Sequence, residues 1–209
     1  MPSGRILDYG CGGGGFVRFL REKGYSNAFG YDPYVPEYAD ASLLEERYDA
    51  VTTWDVIEHV EDPRGFLESM TKLLRPGGLL VVGTPNAENL NLNHPNLLSV
   101  PELHQPYHRH VLSERALLHL GRENGLRLSL RLHRWYLDTP YPFLNTAFLF
   151  GYVDARGGYI DVLIENTTGK LTGDPPSRGF LLRNPTLLFK AFFGYYFPKK
   201  TNMTLCFRR

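Results

Sequence analysis

At 209 residues and a net charge of +1, the chain has room for one ordinary domain with a full core, and too little for two comfortable ones. Charges of both signs are spread throughout, which leaves no electrostatic footprint for nucleic acid or an acidic partner, and two cysteines without zinc-site spacing exclude a disulfide framework. There is no charged-then-apolar leader and no apolar run near the roughly 18 residues a membrane span needs, so the expectation is a cytoplasmic single domain over residues 1–209.

In chain order, "RILDY" predicts a buried strand and "GFVRFLREKG" a helix closing at Gly24, with Phe16, Phe19 and Leu20 on one face. "NAFGYD" predicts a second strand ending on an acid, and "RYDAVTTWD" a third. "PRGFLESMTKLLRPGG" is a helix with Pro63 in its first turn and Pro76-Gly77-Gly78 as its stop. "LLVVGTP" predicts a strand buried on both faces, and "SERALLHLGRENG" a helix capped by Ser113 and closed by Gly125. "LRLSLRLHRW" is the next strand. This alternation predicts an α/β fold, a doubly wound, mostly parallel sheet with helices on both faces.

Ligands of such sheets lie beyond the carboxyl ends of the strands. At the first of these ends, "DYGCGGGG" places backbone N–H groups and almost no side chains at a helix N-terminus, so a polar ligand can lie on the main chain. Asp8, two residues before Gly10, stands where a dinucleotide fingerprint has an apolar residue, and a carboxylate there repels a pyrophosphate. Asp32 lies 18 residues past Gly14, a distance suited to accepting hydrogen bonds from ribose hydroxyls. S-adenosylmethionine combines a ribose, an amine and a positive sulfur without any phosphate.

The segments "ILDYGCGGGGF", "GYDPY", "YDAVTTWDVIEHVEDP" and "LLRPGGLLVVGTPN", in this order, resemble the class I S-adenosylmethionine-dependent methyltransferases. The likeness covers about residues 4–135 and the last strand "TNMTLCFRR", expected to be antiparallel; "WDVIEHV" and "HRHVLSERAL" look most like the branch of ubiquinone-biosynthesis O-methyltransferases. The resemblance implies methyl transfer to a small-molecule acceptor, foremost at a hydroxyl. It implies that Asp8, Gly10, Cys11 and Gly12 line the methionine end of the cofactor, that Asp32 holds the ribose with Pro33 beside it, and that Trp54 and Asp55 lie under it.

Two departures stand out. Tyr48 follows Asp32 by only 16 residues, where relatives fit a helix and a strand, which leaves Asp40 as the candidate adenine contact. The first strand also begins almost at Met1, so a closing helical segment is either missing from the sequence or replaced from elsewhere.

Asp55, Glu58 and His59 stand at i, i+3 and i+4, one face if the chain turns helical there. Carboxylates with an imidazole suit a divalent ion, for which the resemblance implies a distant ligand from "HQPYHRH": His108, His110 or, less aligned, His104. The candidate catalytic bases are His59, His108 and His110, with no metal ligand assigned. Residues 135–200 carry 15 of the 28 aromatics, and 136–200 is expected to form an aromatic cap or insertion over an apolar or aromatic acceptor pocket. A second small core, a dimer interface and a peripheral membrane contact beside Lys199 and Lys200 are the alternatives for that segment. Competing functions are a non-catalytic S-adenosylmethionine-binding partner subunit and an NAD-type oxidoreductase or epimerase, with RNA a minor acceptor option.

Overall fold

A computed structural model describes residues 3–93, 97, 100, 102–103, 107–134, 138–155, 178–197 and 200–209. The chain divides into two compact units, one of Met1–Glu88, Arg109–Leu132 and Met203–Arg209, the other of Asn89–His108 and His133–Asn202.

The first unit carries the sheet. Its strands are β1 (Ile6–Tyr9), β2 (Ala28–Tyr31), β3 (Tyr48–Trp54), β4 (Leu74–Pro85), β5 (Arg127–Leu132) and β6 (Asn202–Arg208), in the spatial order β2-β1-β3-β4-β6-β5. β1 runs parallel to both β2 and β3, and β3 parallel to β4, whereas β5 and β6 are antiparallel. Parallel neighbours need crossovers, and α1 (Gly15–Glu22) and α2 (Pro63–Leu73) supply two of them, with α3 (Glu114–Glu123) leading into β5. This is the mostly parallel, doubly wound sheet expected, with the last strand antiparallel to its neighbour β5. Strand order reverses beside β1, the position at which such sheets open a ligand crevice.

Apolar side chains from both sheet faces build the core. Leu7, Val51, Leu80 and Val82 meet Leu67 and Met70 of α2, Leu117 of α3, and Met203, Leu205 and Phe207 of β6. A smaller cluster joins Val17 and Leu20 of α1 to Ala28. The buried face of α1 is therefore Val17 and Leu20, while Phe19, expected inside, is 49% exposed. Its ring stacks instead on Phe16, at 6.3 Å between centroids.

α2 begins at Pro63 behind the cap Asp62, whose carboxylate accepts the Arg64 N–H, but it ends at Leu73, before the predicted Pro-Gly-Gly stop. Leu74 already pairs with Tyr48 of β3, and the register then jumps so that Leu79 pairs with Ala50. The residues between bulge out of the strand, with Gly77 at φ +77. Between β2 and β3 there are only two 3₁₀ turns, Pro36–Tyr38 and Ala41–Glu45.

The second unit contains α4 (Thr146–Ala155), α5 (Arg178–Arg183), α6 (Pro185–Phe193) and a 3₁₀ turn, Gly194–Tyr196. Phe148 and Tyr152 of α4 pack with Leu187 and Ala191 of α6. The buried Asn145 amide donates to the carbonyls of Lys190 and Ala191, at 2.9 and 3.1 Å, and accepts the Phe148 N–H at 2.9 Å, which ties the two helices. The end of the predicted strand at Trp135, residues 156–177 of the expected insertion, His104 and Lys199 lie outside the described residues.

Candidate active site

The glycine run turns the chain from β1 into α1. Gly10 and Cys11 both donate their N–H to the Tyr31 carbonyl, at 2.7 and 3.2 Å, and Gly12 donates to Asp32 Oδ2 at 2.9 Å. The loop is thus stitched to the end of β2, and part of the N–H array expected to face a ligand is used internally. Gly14 caps α1 at φ +71, where a Cβ would fall 1.9 Å from the Tyr38 hydroxyl, so both the backbone and this contact require glycine.

Asp32 leaves β2 with each carboxylate oxygen in use, Oδ2 on Gly12 and Oδ1 on the Tyr34 N–H at 2.9 Å. Each oxygen retains a further lone pair for a ligand hydroxyl. At the end of β3, Asp55 adopts φ +52, the left-handed region that non-glycine residues rarely enter, and its N–H donates to the Gly83 carbonyl at 3.0 Å. Backbone held in that region costs about 1–3 kcal/mol and concentrates at functional sites.

These strand ends enclose a cleft of about 610 Å³, within the range of small-molecule sites. Of the predicted residues, Gly10, Asp32, Pro33, Asp55 and His59 line it. The lining also includes Tyr9, Tyr34, Val56, Val60, Glu61 and Arg109, none of which the sequence singled out. Glu61 and Arg109 form an ion pair at 3.0 Å. Among the described residues the charged lining is therefore three carboxylates, Asp32, Asp55 and Glu61, against one guanidinium. The same negative character reaches Cys11, whose thiol is pushed up to about 11 by burial and by the carboxylates of Asp8 and Asp32. A thiol so disposed is neither a nucleophile nor a redox centre near neutral pH.

Asp8, next to the lining residue Tyr9 in β1, does not itself line the cleft. It is 4% exposed, and its carboxylate accepts the Thr52 hydroxyl at 2.7 Å from the adjacent β3. Burial raises its pKa from 3.8 to about 6, against the lowering effect of the Thr52 bond. A raised carboxyl pKa gives stability that is full below pH 3.8 and lost as pH rises through about 6, some 2 units or about 3 kcal/mol in all. Asp8→Asn, which keeps an acceptor for Thr52, is expected to match wild type in urea unfolding near pH 4 and to exceed it by about 2–3 kcal/mol at pH 7.

Trp54 lies against Gly83, where an added Cβ would fall 2.2 Å from the ring, and it meets Phe16 edge-on at 6.5 Å. Gly83→Ala should displace the indole, change its fluorescence and cost about 1–3 kcal/mol, as overpacking does. An unchanged emission and midpoint would contradict this placement.

Asp40 accepts the N–H and hydroxyl of Ser42, at 3.0 and 2.7 Å, as the cap of a 3₁₀ turn, and it is not among the cleft-lining residues. Asp8, Cys11, Gly12, Trp54, His108 and His110 are likewise not in its lining. The chain does not turn helical over Asp55–His59: a single turn closes with the His59 N–H on the Val56 carbonyl at 2.9 Å. Asp55's left-handed backbone breaks the chain direction there, so the three residues share no helical face. Glu58 is fully buried, its Oε2 accepting the Thr84 hydroxyl at 3.0 Å, while His59 is exposed. The Glu58 carbonyl also accepts the N–H groups of Arg109 and His110, at 2.8 and 3.1 Å, and so positions Arg109 at the cleft. His110 Nε2 lies 3.2 Å from the Glu61 carbonyl. His108 belongs to the second unit, where its Nδ1 lies 2.8 Å from the Glu102 carbonyl.

Comparison with known proteins fits this geometry. A ubiquinone biosynthesis O-methyltransferase of Caulobacter sp. (strain K31) is 38% identical over 39% of this chain and 41% of its own, so the chain spans about two fifths of that relative's length. Among solved structures, an S-adenosylmethionine-dependent methyltransferase from Mesorhizobium loti superposes with a TM-score of 0.55 at 16% identity, covering 99% of this chain and 91% of that one. A coclaurine N-methyltransferase bound to N-methylheliamine and S-adenosylhomocysteine gives 0.55 at 15% identity, over 100% and 66% of the two chains. These likenesses show a Rossmann-like methyltransferase fold. The model of the methyltransferase domain matches residues 2–130, and the chain belongs to that family.

Proposed function

We propose that the chain binds S-adenosylmethionine in the cleft at the ends of β1, β2 and β3 and transfers its methyl group to a hydroxyl of a small molecule. The observation that carries this reading is the lining charge, three carboxylates against one paired arginine, which favours a ligand bearing ammonium and sulfonium over one bearing a diphosphate. The residues fit such a cofactor: Asp32 has acceptor capacity left for ribose hydroxyls, and Gly10 opens the floor of the cleft. Cys11 and Gly12 continue the loop from Gly10, Asp8 precedes it in β1, and Pro33 and Asp55 line the cleft. The Caulobacter relative, by its name an O-methyltransferase, supports oxygen as the acceptor atom.

When bound, S-adenosylmethionine supplies an already activated methyl carbon, so the protein's task is to position the acceptor and to take its proton. In the balanced reaction a carbon–oxygen bond forms as the carbon–sulfur bond breaks, the sulfur keeps the electron pair, and the acceptor proton passes to a base. His59, the one histidine among the described residues of the lining, is the residue proposed to receive it. Incubation with S-adenosylmethionine and a panel of phenols and alcohols should release S-adenosylhomocysteine stoichiometrically with methyl ether. His59→Ala should lower kcat by about 10²–10³ with cofactor affinity unchanged. Cofactor binding without turnover on any acceptor would instead favour a partner subunit.

A further inference from the structure

Among the described residues β2 is the outermost strand on its side of the sheet, because the two 3₁₀ turns that follow it place no strand beside it. Its backbone still has a polar outer edge. In a parallel ladder alternate residues face one neighbour, and the carbonyls of Asn27 and Tyr31 accept the N–H groups of Ile6 and Gly10, at 3.0 and 2.7 Å, so those of Ala28 and Gly30 point away from β1. The Ala28 carbonyl is taken by the Arg21 guanidinium of α1, at 3.0 and 2.7 Å. Beside Gly30 stands the half-buried ring of Tyr38.

This one ring reaches both arms of the candidate site. Gly30 has no left-handed φ, so contact alone excludes a side chain there: an added Cβ would fall 2.7 Å from Cys11 Sγ and 3.0 Å from Tyr38 Cδ1. At its far end the ring meets Gly14, where an added Cβ would overlap the Tyr38 hydroxyl. Two glycines on different elements thus leave room for the same side chain. The Tyr38 backbone adds a second tie, its carbonyl accepting the Asp32 N–H at 2.9 Å and its own N–H donating to the Val35 carbonyl at 2.8 Å. Pro36 opens the turn and fixes its φ, so the segment that carries the ring is short and stiff.

We propose that Tyr38 is a positioning residue for the cofactor: its ring fills the flank where β2 has no neighbouring strand and holds the glycine loop in the conformation that receives the ligand. Tyr38 is not among the residues that line the cleft, so it acts through Cys11, Gly14 and Asp32. A loop ordered before binding spares the ligand the cost of ordering it. The effect on affinity rests on the S-adenosylmethionine reading above, and the effect on the loop does not.

The N–H groups of Gly10, Cys11, Gly12 and Gly14 are all hydrogen-bonded within the protein, so amide hydrogen exchange of the ligand-free chain reads the loop directly. In Tyr38→Ala, exchange over residues 10–16 should accelerate by about tenfold or more while β3 and β4 exchange as in wild type. Tyr38→Leu fills the space beside Gly30 and stops short of Gly14, so it should give a smaller acceleration, and it carries the test if the alanine variant does not fold. Tyr38→Phe keeps the ring and should match wild type. Calorimetric titration with S-adenosylhomocysteine should follow the same order, with affinity about tenfold weaker in Tyr38→Ala and restored in Tyr38→Phe. Loop exchange at the wild-type rate in the alanine and leucine variants, acceleration spread equally over the sheet, or full affinity despite a loosened loop would each overturn the proposal. Failure of the wild-type chain to bind S-adenosylhomocysteine would refute the cofactor reading instead, and the exchange comparison would still decide whether Tyr38 orders the loop.

Discussion

Asp32→Ala is expected to weaken S-adenosylmethionine binding by about 100-fold or more, because it removes an ionised acceptor for ribose hydroxyls, each such bond being worth about 1.5–3 kcal/mol. A second loss adds to it. The Asp32 carboxylate also holds the N–H groups of Gly12 and Tyr34, both at 2.9 Å, so alanine releases the glycine loop from the end of β2 as well. Asp32→Asn separates the two contributions. Its single carbonyl oxygen can keep one of these two backbone bonds, so the unfolding midpoint should fall less than in Asp32→Ala while affinity still falls about tenfold. Isothermal titration with S-adenosylhomocysteine, whose sulfur is neutral, measures the ribose contribution apart from the charge of the sulfonium. Undiminished affinity in Asp32→Ala would refute the ribose assignment.

Above pH 6, where the Asp8 contribution has levelled off, the pH dependence of stability should be set chiefly by Glu58. Burial, aided by the nearby Asp55 charge, raises its pKa from 4.5 to about 8, while hydrogen bonds, including that from Thr84, pull the other way. The folded state therefore holds a proton that the unfolded chain has released. Stability from this group is full below pH 4.5 and is lost as pH rises through about 8, at about 1.4 kcal/mol per pH unit, or about 3 kcal/mol by pH 7. Glu58→Gln retains a carbonyl oxygen for the Thr84 hydroxyl and has no proton to lose. Its unfolding free energy relative to wild type should rise across this window and level off above pH 8. Chemical denaturation from pH 5 to 9 measures the difference, and a pH-independent gap would show that Glu58 is ionised in the fold. The consequence for the site is mechanical, since the Glu58 backbone carbonyl positions Arg109 and His110.

The sheet was legible from strand and helix alternation because its first three strands are each followed by a residue type that stops a strand: the glycines after Tyr9, Asp32 after Tyr31, and the strained Asp55 after Trp54. The end of α2 was not, because Pro76, Gly77 and Gly78 read as a helix stop whether they follow a helix directly or bulge out of a strand already begun at Leu74. Phe16, Phe19 and Leu20 share a helical spacing, but spacing alone does not tell which stripe faces the sheet, and the smaller Val17 took the place assigned to Phe19.

In the site, Asp32 was findable by its distance from the glycine loop, and Asp55 by its place at the end of a strand. Glu61 and Arg109 were not, since an ion pair spanning 48 residues leaves no local signature. Asp8 drew attention as the acid that would repel phosphate. It is buried on Thr52, and the carboxylates that face the cleft are Asp32, Asp55 and Glu61. The electrostatic argument therefore moves from the residue before the loop to the walls around it.

The most direct measurement is a parallel calorimetric titration of the protein with S-adenosylmethionine and with NAD. A negatively lined cleft predicts a saturable one-to-one isotherm with the sulfonium ligand, weakened by salt, and no heat of binding with the dinucleotide. Binding of NAD, or a flat trace with S-adenosylmethionine, would contradict it.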